Sequence, residues 1–246
     1  MRRREIALAA LVLLAGWWLL ALLLHVPILP APPVVLIAFV RGMAGELGLH
    51  FAASLWRVLA SMGISIALAV PAGLALGQSQ RLNRLFSPII YLLFPIPKVV
   101  FVPILLLFLG VGNTAKITII FLILFFQILV LVRDQAAALR PELLLSVRSL
   151  GAGRRALFRF VYLPASLPAI LTGLRQSIGT AIAVLYVAEL FATHLGLGYY
   201  IYLHGSTLFD YPKMYAGILA MSLLGLGLYL AVDWLERRWC GWQFAR

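Results

Sequence analysis

Residues 115–132 read AKITIIFLILFFQILVLV and carry one charge, Lys116, near their start. A helix needs about 20 mainly apolar residues to cross the hydrocarbon layer of a bilayer. Five more segments have the same character: residues 6–24, 51–76, 85–109, 169–190 and 215–235. The sequence therefore predicts an all-α, polytopic membrane protein with about six transmembrane helices, formed by a single transmembrane domain over residues 1–246.

The composition favours the same fold class. Of the 246 residues, 63% are hydrophobic and 11% are charged, against about 45–50% and about 25% in soluble domains. The basic residues Arg2 to Arg4 followed by an apolar run resemble a signal peptide, but the run is longer than a typical signal h-region. We interpret it as an uncleaved first span. The single cysteine, Cys240, excludes an intrachain disulfide.

The basic residues predict the orientation in the membrane. With the amino terminus inside the cell, 14 of the 20 basic residues fall on the inner side, and three lie within or at the ends of spans. The outer side carries three: Arg41, Lys116 and Lys213. This excess on one side predicts that both termini face the cytoplasm of a bacterial inner membrane. Topology and contact with membrane lipid account for the net charge of +12, so no nucleic-acid partner is predicted.

Prolines mark two irregular regions. Pro32 and Pro33 suit the first turn of a short helix, and we expect residues 29–50 to lie at the outer surface without forming a seventh span. The third predicted span, residues 85–109, contains four prolines: Pro88, Pro95, Pro97 and Pro103. Proline breaks the helical hydrogen-bond ladder, so this span is predicted to bend. The bend serves either packing alone or a pathway that opens and closes.

A long polar stretch, residues 133–168, joins the fourth and fifth spans. Stretches longer than about 15 residues usually have a function or their own structure. Pro141 and Glu142 favour the start of one short helix, since proline suits the first turn and an acid suits the positive end of the helix dipole. Gly151 and Gly153 permit a turn, and a second basic amphipathic run over residues 154–162 leads to Pro164 and Pro168.

The first of these short helices has an apolar face with helical spacing, formed by Leu143, Leu144, Val147 and Leu150. This face packs either against the inner ends of the spans or into a groove of a cytoplasmic partner. Three arginines of the second run, Arg154, Arg155 and Arg159, face either lipid headgroups or carboxylates of that partner.

The stretch resembles the coupling loop of ABC-importer permeases, whose pattern is Glu-Ala-Ala, three residues, Gly, nine residues, an aliphatic residue, any residue, Leu-Pro. Gly151 is followed nine residues later by Val161, Tyr162, Leu163 and Pro164. The first half of the pattern is absent, because residues 145–147 read LSV. That departure puts the contact of the family's acidic residue in doubt and leaves the glycine turn in place.

Other stretches resemble the sulfonate, nitrate and taurine branch of these permeases, and together they cover most of the chain. They are LPAP (29–32), ASLWRVLASM (53–62), PIPKVVFVPILLLFLGVGNTAKI (95–117), RSLGAGRRALFRFVYLPASLPAILTGLRQSIG (148–179), AEL (188–190) and GLGYYI (196–201). The resemblance implies a type I ABC-importer fold with a permease core over about residues 51–240. It also implies a homodimer with a second permease copy, two cytoplasmic ATPase subunits, and a periplasmic or lipid-anchored substrate-binding protein.

The resemblance assigns ATPase coupling to residues 142–164 and in particular to Glu142, Leu143, Val147, Leu150, Gly151, Ala152, Gly153, Arg154, Arg155, Leu163 and Pro164. No Gly-x4-Gly-Lys-[Ser/Thr] phosphate loop occurs in the chain. We therefore expect no cofactor here, with ATP and Mg²⁺ handled by the partner ATPase.

Ionisable residues inside spans mark functional sites by default. The candidates for a translocation pathway are Arg57, Pro95, Pro97, Lys98 and Glu189. Glu189 either gates the pathway or forms a structural ion pair, for which Arg57 is the expected partner. Arg57 lies either in the pathway or at the outer headgroups. Lys98 either presents its charge to a small anion or snorkels toward the membrane surface.

Two functions are alternatives to an importer subunit. An enzyme is disfavoured, because the eight acidic residues form no paired carboxylates and no nucleophile–base set. The other rival is a secondary transporter or channel that works alone, which has no use for a docking loop. Within the importer hypothesis, the predicted substrates are small anions such as sulfonates, taurine or nitrate, or a small heterocyclic vitamin precursor.

Overall fold

The computed structural model describes residues 3–139, 141–151, 153–191 and 193–243, and these contain helices and turns but no strand. The helices are α1 (Arg3–Leu24), α2 (Pro32–Met43), α3 (Glu46–Gln78), α4 (Gln80–Leu93), α5 (Val102–Leu109), α6 (Asn113–Ala137), α7 (Pro141–Ser149), α8 (Arg154–Leu157), α9 (Leu163–Leu190), α10 (Leu197–Tyr202) and α11 (Tyr211–Trp239). Shorter turns are the 3-10 helices Lys98–Phe101 and Gly241–Gln243 and the π-helices Phe158–Tyr162 and Leu203–Thr207.

Four of the described helices are long and apolar enough to cross a membrane: α3, α6, α11 and the continuous helix Arg155–Leu190. A fifth candidate is the pair formed by α4 and Lys98–Leu109. The first predicted span is helical as α1, but its apolar part, Leu8–Leu24, is shorter than these. The chain is thus a multi-pass helical membrane protein. Helix α2 begins at Pro32 as predicted, and its 12 residues are too few for a span.

The third predicted span differs from the expected single bent helix. Its two halves are separate helices inclined by 77°. Helix α4 ends at Leu93, Pro95 and Pro97 follow, and a 3-10 turn leads into α5. Pro88 lies inside α4 and Pro103 in the first turn of α5, where a missing N–H is tolerated. Pro95 and Pro97, which are two positions apart, therefore interrupt the helical hydrogen-bond ladder completely, whereas the isolated Pro88 does not.

The chain divides into two compact units. The first contains residues Met1–Leu55 and Glu189–Leu224, which include α1, α2, the start of α3, α10 and the first half of α11. Its core is tightly packed around α10, since a Cβ added at Gly217 of α11 would lie 2.9 Å from the Tyr200 ring and 2.8 Å from Ile201. Tyr200, at 2% exposure, is among the largest fully buried side chains.

The second unit contains residues Trp56–Ala188 and Gly225–Arg246, and it is organised by a close seam between α3 and α6. Ser65 Oγ donates a hydrogen bond to the Phe121 carbonyl oxygen at 3.3 Å. Ser61 Oγ donates to the Arg57 carbonyl oxygen of its own helix at 2.7 Å and lies 3.1 Å from the Ile117 carbonyl oxygen. Further along α3, a Cβ at Gly73 would lie 2.9 Å from the Leu129 carbonyl oxygen. Small residues every four positions let helix backbones approach closely in lipid.

The tightest point of the seam predicts a strong effect of one methyl group. A Cβ at Gly77 would lie 2.5 Å from the Ala136 Cβ and 2.6 Å from the Arg133 carbonyl oxygen, and neither of these α6 atoms can move without the helix backbone. We expect Gly77→Ala to destabilise the protein by about 1–3 kcal/mol through overpacking, measured as a lower thermal midpoint in detergent.

Gly63→Ala is the matched control on the same helix. A Cβ at Gly63 meets nothing within 4 Å, so its higher helix propensity leaves the midpoint unchanged or raises it. Equal midpoints for the two variants would contradict the assignment of the seam.

Candidate functional site

The region predicted to couple to an ATPase forms a helical hairpin with a glycine turn. Helix α7 ends at Ser149, and Gly151 has a φ of +83°, a left-handed conformation that favours glycine. The Gly151 N–H donates to the Arg148 carbonyl oxygen at 2.9 Å. Helix α8 then starts, with the Leu157 N–H bonded to the Gly153 carbonyl oxygen at 3.0 Å. The turn predicted at Gly151 is therefore present.

Several members of the predicted coupling set lie on the surface of this hairpin. Leu150 is 85% exposed and Leu145 is 62% exposed, while Val147 is half-buried. Glu142, Gly153 and Arg155 are exposed. Ala152 lies outside the described residues, and so do the side chains of Leu143 and Arg154. Leu150 follows the end of α7, and Leu145, which the sequence did not include in the coupling set, lies on it; exposed apolar side chains such as these can enter a groove of another protein.

The second half of the predicted loop differs from expectation. The second run, residues 154–162, is not a separate short helix that stops before Pro164 and Pro168. Helix α8 continues through the π-helix into α9 as one helix over Arg155–Leu190. Leu163 and Pro164 are half-buried positions within this helix, and Pro168 lies further inside it. A proline in a membrane helix removes one ladder bond, and packing with neighbouring helices compensates for it.

Glu189 lies at the centre of a buried cluster in the first unit, which we call the Glu189 clasp (His50, Ser54, Glu189 and residues 196–198). Ser54 Oγ lies 2.8 and 2.9 Å from the two Glu189 carboxylate oxygens, and the Gly198 N–H donates to Oε2 at 2.9 Å. The Leu197 N–H donates to Ser54 Oγ at 2.8 Å. Ser54 and Glu189 are both 0% exposed, so the carboxylate holds the start of α10 against α3.

His50 completes the clasp. Its Nδ1 lies 3.0 Å from the Gly196 backbone nitrogen and 2.9 Å from the Gly196 carbonyl oxygen, and the tautomer decides which of the two it bonds. Its Nε2 lies 3.7 Å from Glu46 Oε1. Gly196 has a φ of +135°, which a residue with a side chain rarely adopts. This turn explains the first glycine of the GLGYYI stretch.

Two buried rings beside the clasp stay uncharged at neutral pH. Burial raises the pKa of the Tyr200 phenol to about 12, with the charges of Glu46 and Asp210 adding to the shift. Burial also lowers the pKa of His204, and the Lys213 ammonium lowers it further. The His204 and Tyr200 rings are 4.3 Å apart between centroids. Neither His204 nitrogen has a hydrogen-bond partner among the described residues.

The two basic pathway candidates hold neighbouring backbone and side-chain groups. Arg57 is 3% exposed, and its Nε donates to Asn113 Oδ1 at 2.9 Å at the start of α6. This burial excludes the alternative at the lipid headgroups. Lys98 Nζ donates to the carbonyl oxygens of Leu93, at 2.9 Å, and of Phe94. Lys98 therefore caps the carbonyl end of α4 that the proline break leaves open.

Lys116, which the sequence assigns to the outer side, is buried in the fold. It is 1% exposed, and its Nζ donates to the Val111 carbonyl oxygen at 2.6 Å. Its position one turn into α6 lets the side chain fold back over the preceding loop. The charge is thus used inside the fold, where charged groups are retained only with partners.

An ionic network that the sequence did not predict joins α9 to α11 in the second unit. Arg175 Nη1 lies 2.7 Å from Asp233 Oδ1 and 3.0 Å from Glu236 Oε2. Thr172 Oγ1 donates to Glu236 Oε1 at 2.9 Å. The four-residue spacing of Asp233 and Arg237, which pair at 2.9 Å, was the available signal for part of this network.

Two cavities lie beside this network in the second unit, each of about 670 Å³. The α6–α9 cavity is lined by residues of those helices and by Phe94, with six polar side chains: Gln127, Asp134, Gln135, Thr172, Gln176 and Ser177. The α4–α6 cavity also contains Phe94 and includes Tyr91, Pro95 and Arg133. Of the predicted pathway residues in this unit, Pro95 lines a cavity, whereas Arg57, Pro97 and Lys98 line neither.

Comparison with known proteins gives the family. Residues 65–240 match the family described as binding-protein-dependent transport system inner membrane component. The taurine transport system permease protein TauC of Escherichia coli is 32% identical over 240 residues, 94% of this chain and 87% of TauC. The formylaminopyrimidine transport permease protein ThiX of Halalkalibacterium halodurans is 28% identical over 240 residues, 97% of this chain and 96% of ThiX.

Solved structures give the same fold. An inward-facing structure of the MetNI methionine ABC transporter has a chain that superimposes with a TM-score of 0.67 and 18% identity, covering 80% of this chain and 97% of that one. At this identity the likeness concerns the fold alone. It agrees with the type I ABC-importer fold that the sequence resemblance implied.

The Glu189 clasp predicts a stability effect of one buried carboxylate. Glu189→Gln keeps the shape of the side chain but replaces one acceptor oxygen by an NH₂ group that faces Ser54 and Gly198. Hydrogen bonds to a charged group contribute about 1.5–3 kcal/mol each, so we expect a loss of about 2 kcal/mol and a thermal midpoint lower by roughly 5 °C.

Glu46→Gln is the control, because the Glu46 side chain is 57% exposed and its contact with His50 is 3.7 Å. It should change the free energy of unfolding by less than about 0.5 kcal/mol and leave the thermal midpoint nearly unchanged. Solute uptake measured on the same two variants addresses the gate hypothesis, which unchanged uptake by a stably assembled Glu189→Gln protein would contradict.

Proposed function

The chain belongs to the family of binding-protein-dependent transport system inner membrane components, and we propose that it forms the solute pathway of an ATP-driven importer that is coupled to a cytoplasmic ATPase through residues 142–164. Relatives that match over most of the chain are named as permeases for taurine, formylaminopyrimidine and aliphatic sulfonates. The exposed apolar tip of the α7 hairpin, at Leu150, is the observation that carries the coupling assignment.

The backbone conformation and the exposed side chains of the hairpin support the coupling assignment. The left-handed Gly151 fixes the angle at which the chain leaves α7, and the exposed side chain of Leu150 is directly adjacent. Because the Glu-Ala-Ala positions hold Leu145, Ser146 and Val147, the first-helix contact in this protein is apolar rather than ionic. Exposed Arg155 supplies a positive charge beside it for a carboxylate of the partner.

The rest of the assembly follows from the same proposal. A second copy of this chain completes the pathway, two ATPase subunits receive the two hairpins, and a periplasmic or lipid-anchored binding protein delivers the solute. The distribution of basic residues favours cytoplasmic termini, which places the hairpin on the ATPase side. ATP and Mg²⁺ bind to the ATPase and not to this chain.

The solute is a small molecule that crosses at the centre of the permease pair. The names of the relatives point to two chemical classes, namely sulfonates, including taurine, and a formylaminopyrimidine. Both classes are compatible with a cavity of about 670 Å³.

ATP-dependent uptake into proteoliposomes tests the function. The purified permease is reconstituted with its ATPase and its binding protein into vesicles of both orientations. The solute is the ligand that copurifies with the binding protein. We expect uptake only when ATP is on the hairpin side. Uptake by the permease without any ATPase would support a secondary transporter and contradict the proposal.

The glycine turn predicts uncoupling by a single substitution. A β-branched residue in the left-handed region is strongly disfavoured, by about 1–2 kcal/mol, so Gly151→Val should reorient the hairpin. We expect the ratio of solute imported to ATP hydrolysed to fall several-fold, while the thermal midpoint of the purified permease changes little because Gly151 is exposed.

Gly112→Val is the matched control outside residues 142–164, since Gly112 is also exposed, has a φ of −73° and has nothing within 4 Å of an added Cβ. It should keep a coupling ratio near that of the unmodified protein. A fully coupled Gly151→Val protein would remove the turn from the coupling mechanism.

The apolar tip predicts a direct effect on ATPase binding. Leu150→Asp places a charge where an apolar contact is proposed, and we expect the permease–ATPase affinity to fall by about tenfold or more. Because Leu150 is 85% exposed, folding of the permease alone should be unaffected.

Gln80→Asp adds the same charge at an exposed residue outside residues 142–164 and serves as the control. The two affinities are compared by pull-down of purified ATPase with immobilised permease. If both variants bind the ATPase equally well, Leu150 is not part of the interface.

A further inference from the structure

Helix α4 carries polar side chains along one side and apolar side chains along the other. We call the polar side the α4 polar stripe (Asn83, Arg84, Ser87 and Tyr91). Residues three and four positions apart lie on one face of a helix, so these four side chains form a continuous strip. The opposite side is exposed in the chain and consists of Leu82, Leu85, Phe86, Ile89 and Leu93. Lipid therefore suits one side of α4 and not the other.

The stripe runs into the membrane beside α6. The end of α3 meets the end of α6, since a Cβ at Gly77 would lie 2.5 Å from the Ala136 Cβ, and α4 begins three residues after Gly77. At its other end, Phe94 lines the same cavity as Gln127, which is ten residues before the end of α6. Asn83 and Phe94 are separated by a rise of about 16 Å, roughly half of the hydrocarbon thickness. A helix that lies flat in the headgroup layer would not reach this level of α6.

Three cavities of the second unit join along the stripe. A surface cavity of about 650 Å³ is lined by all four residues of the stripe. It shares three of them with the α4–α6 cavity, which in turn shares Phe94, Val130 and Asp134 with the α6–α9 cavity. The three cavities therefore form one continuous space that leads from the first turns of α4 past Phe94 to the polar side chains of α9.

Water fits this space better than lipid. Polar and ionised side chains within spans face the protein interior or a water-filled cavity, because hydrocarbon offers them no hydrogen bonds. Ser87 Oγ donates to Asn83 Oδ1 at 2.7 Å, whereas Arg84 is exposed and Tyr91 is 80% exposed. The guanidinium and the phenol together carry six N–H and O–H donors. Exposure leaves these donors to the medium that fills the space, and water accepts their hydrogen bonds.

Phe94 marks the deep end of the stripe. Its side chain is 44% exposed and lines both the α4–α6 and the α6–α9 cavity. Its carbonyl oxygen accepts a hydrogen bond from Lys98 Nζ, which also lies 5.4 Å from the centroid of the Phe94 ring. The ammonium thus holds Phe94 through both its carbonyl group and its ring. A fixed aromatic side chain at the junction narrows the passage between the two cavities.

From these features we infer that the α4 polar stripe lines a water-filled vestibule that opens beside the first turn of α4 and ends at Phe94. The inference rests on the proposed function, which makes the vestibule part of the solute pathway and places its opening on the ATPase side. It adds four residues to the pathway, none of which was predicted from the sequence.

Cysteine labelling in lipid vesicles tests whether the stripe faces water. Asn83→Cys, Ser87→Cys and Tyr91→Cys are each reconstituted as the permease–ATPase complex. The reagent is 2-sulfonatoethyl methanethiosulfonate, a charged compound that does not cross lipid, and it is supplied on both sides of the membrane. Because a thiol in apolar surroundings has a raised pKa and little reactive thiolate, we expect each stripe cysteine to react at least about tenfold faster than its control.

Leu85→Cys, Ile89→Cys and Leu93→Cys are the matched controls, each two positions from its stripe residue and on the opposite side of α4. None of the three positions lines any of the three cavities. The unmodified chain gives the background, since its single cysteine, Cys240, is 0% exposed and burial raises the pKa of its thiol. Labelling is measured as the increase in mass of the permease chain.

A second readout separates a vestibule from a helix that faces the cytoplasm outside the pathway. ATP-driven uptake of the solute that copurifies with the binding protein is measured for each stripe variant before and after labelling. A group attached inside the vestibule obstructs the passage, so we expect uptake by the labelled Ser87→Cys protein to fall several-fold. The unmodified complex, treated with the same reagent, should keep its rate.

Three results would overturn the inference: equal labelling of stripe and control cysteines, no labelling of the stripe, or undiminished uptake after the stripe is labelled. The second result would place the stripe against a second copy of the chain, and the third would place it at the headgroup layer. If any of them occurs while the unmodified complex imports solute with ATP, the inference fails and the proposed function stands. If the unmodified complex imports no solute with ATP, the proposed function fails and the inference fails with it.

Discussion

Lipid offers no hydrogen bonds to a backbone carbonyl or N–H, so every interruption of a helix in this protein has to be closed by the chain itself. Polar side chains lie where that demand arises. Lys98 binds the carbonyl groups left open where α4 stops before Pro95 and Pro97. Ser54 and Glu189 bind the N–H groups that begin the turn into α10. Lys98 and Glu189 thus both bind backbone groups of the fold.

That role explains which parts of the site the sequence could predict. Hydrophobic runs, the proline start of α2 and the Gly151 turn depend on local chemistry, and the structure contains all three. For Lys98 the sequence left two alternatives, contact with a small anion and snorkelling toward the membrane surface, because a sequence shows a charge without showing which carbonyl has lost its partner. The sequence also does not show which prolines interrupt a helix. Pro95 and Pro97, two positions apart, lie where a span is broken, whereas the single Pro88 lies inside a continuous helix.

Hydropathy and local residue spacing did not predict the contacts between residues that are distant in the sequence. Ser54 and Glu189 are 135 positions apart, and Arg175 is 58 positions from Asp233. Lys116 lies close in sequence to an exposed loop and yet is buried. Each of these contacts depends on how helices pack, which hydropathy and local spacing do not encode. The seam between α3 and α6 has a readable signal, small residues at every fourth position from Ser61 to Gly77, but only packing shows which helix they meet.

The unbroken helix over Arg155–Leu190 has mechanical meaning. At a rise of about 1.5 Å per residue, its 36 residues form a rod of roughly 54 Å. One end adjoins the glycine turn and the other contributes Glu189 to its buried cluster. The rod contains a π-helical turn at Phe158–Tyr162, close to the glycine turn. A hydrogen bond broken in the part of the helix that lies in lipid would leave two polar backbone groups without a partner, so the bilayer itself resists sharp bending of this helix.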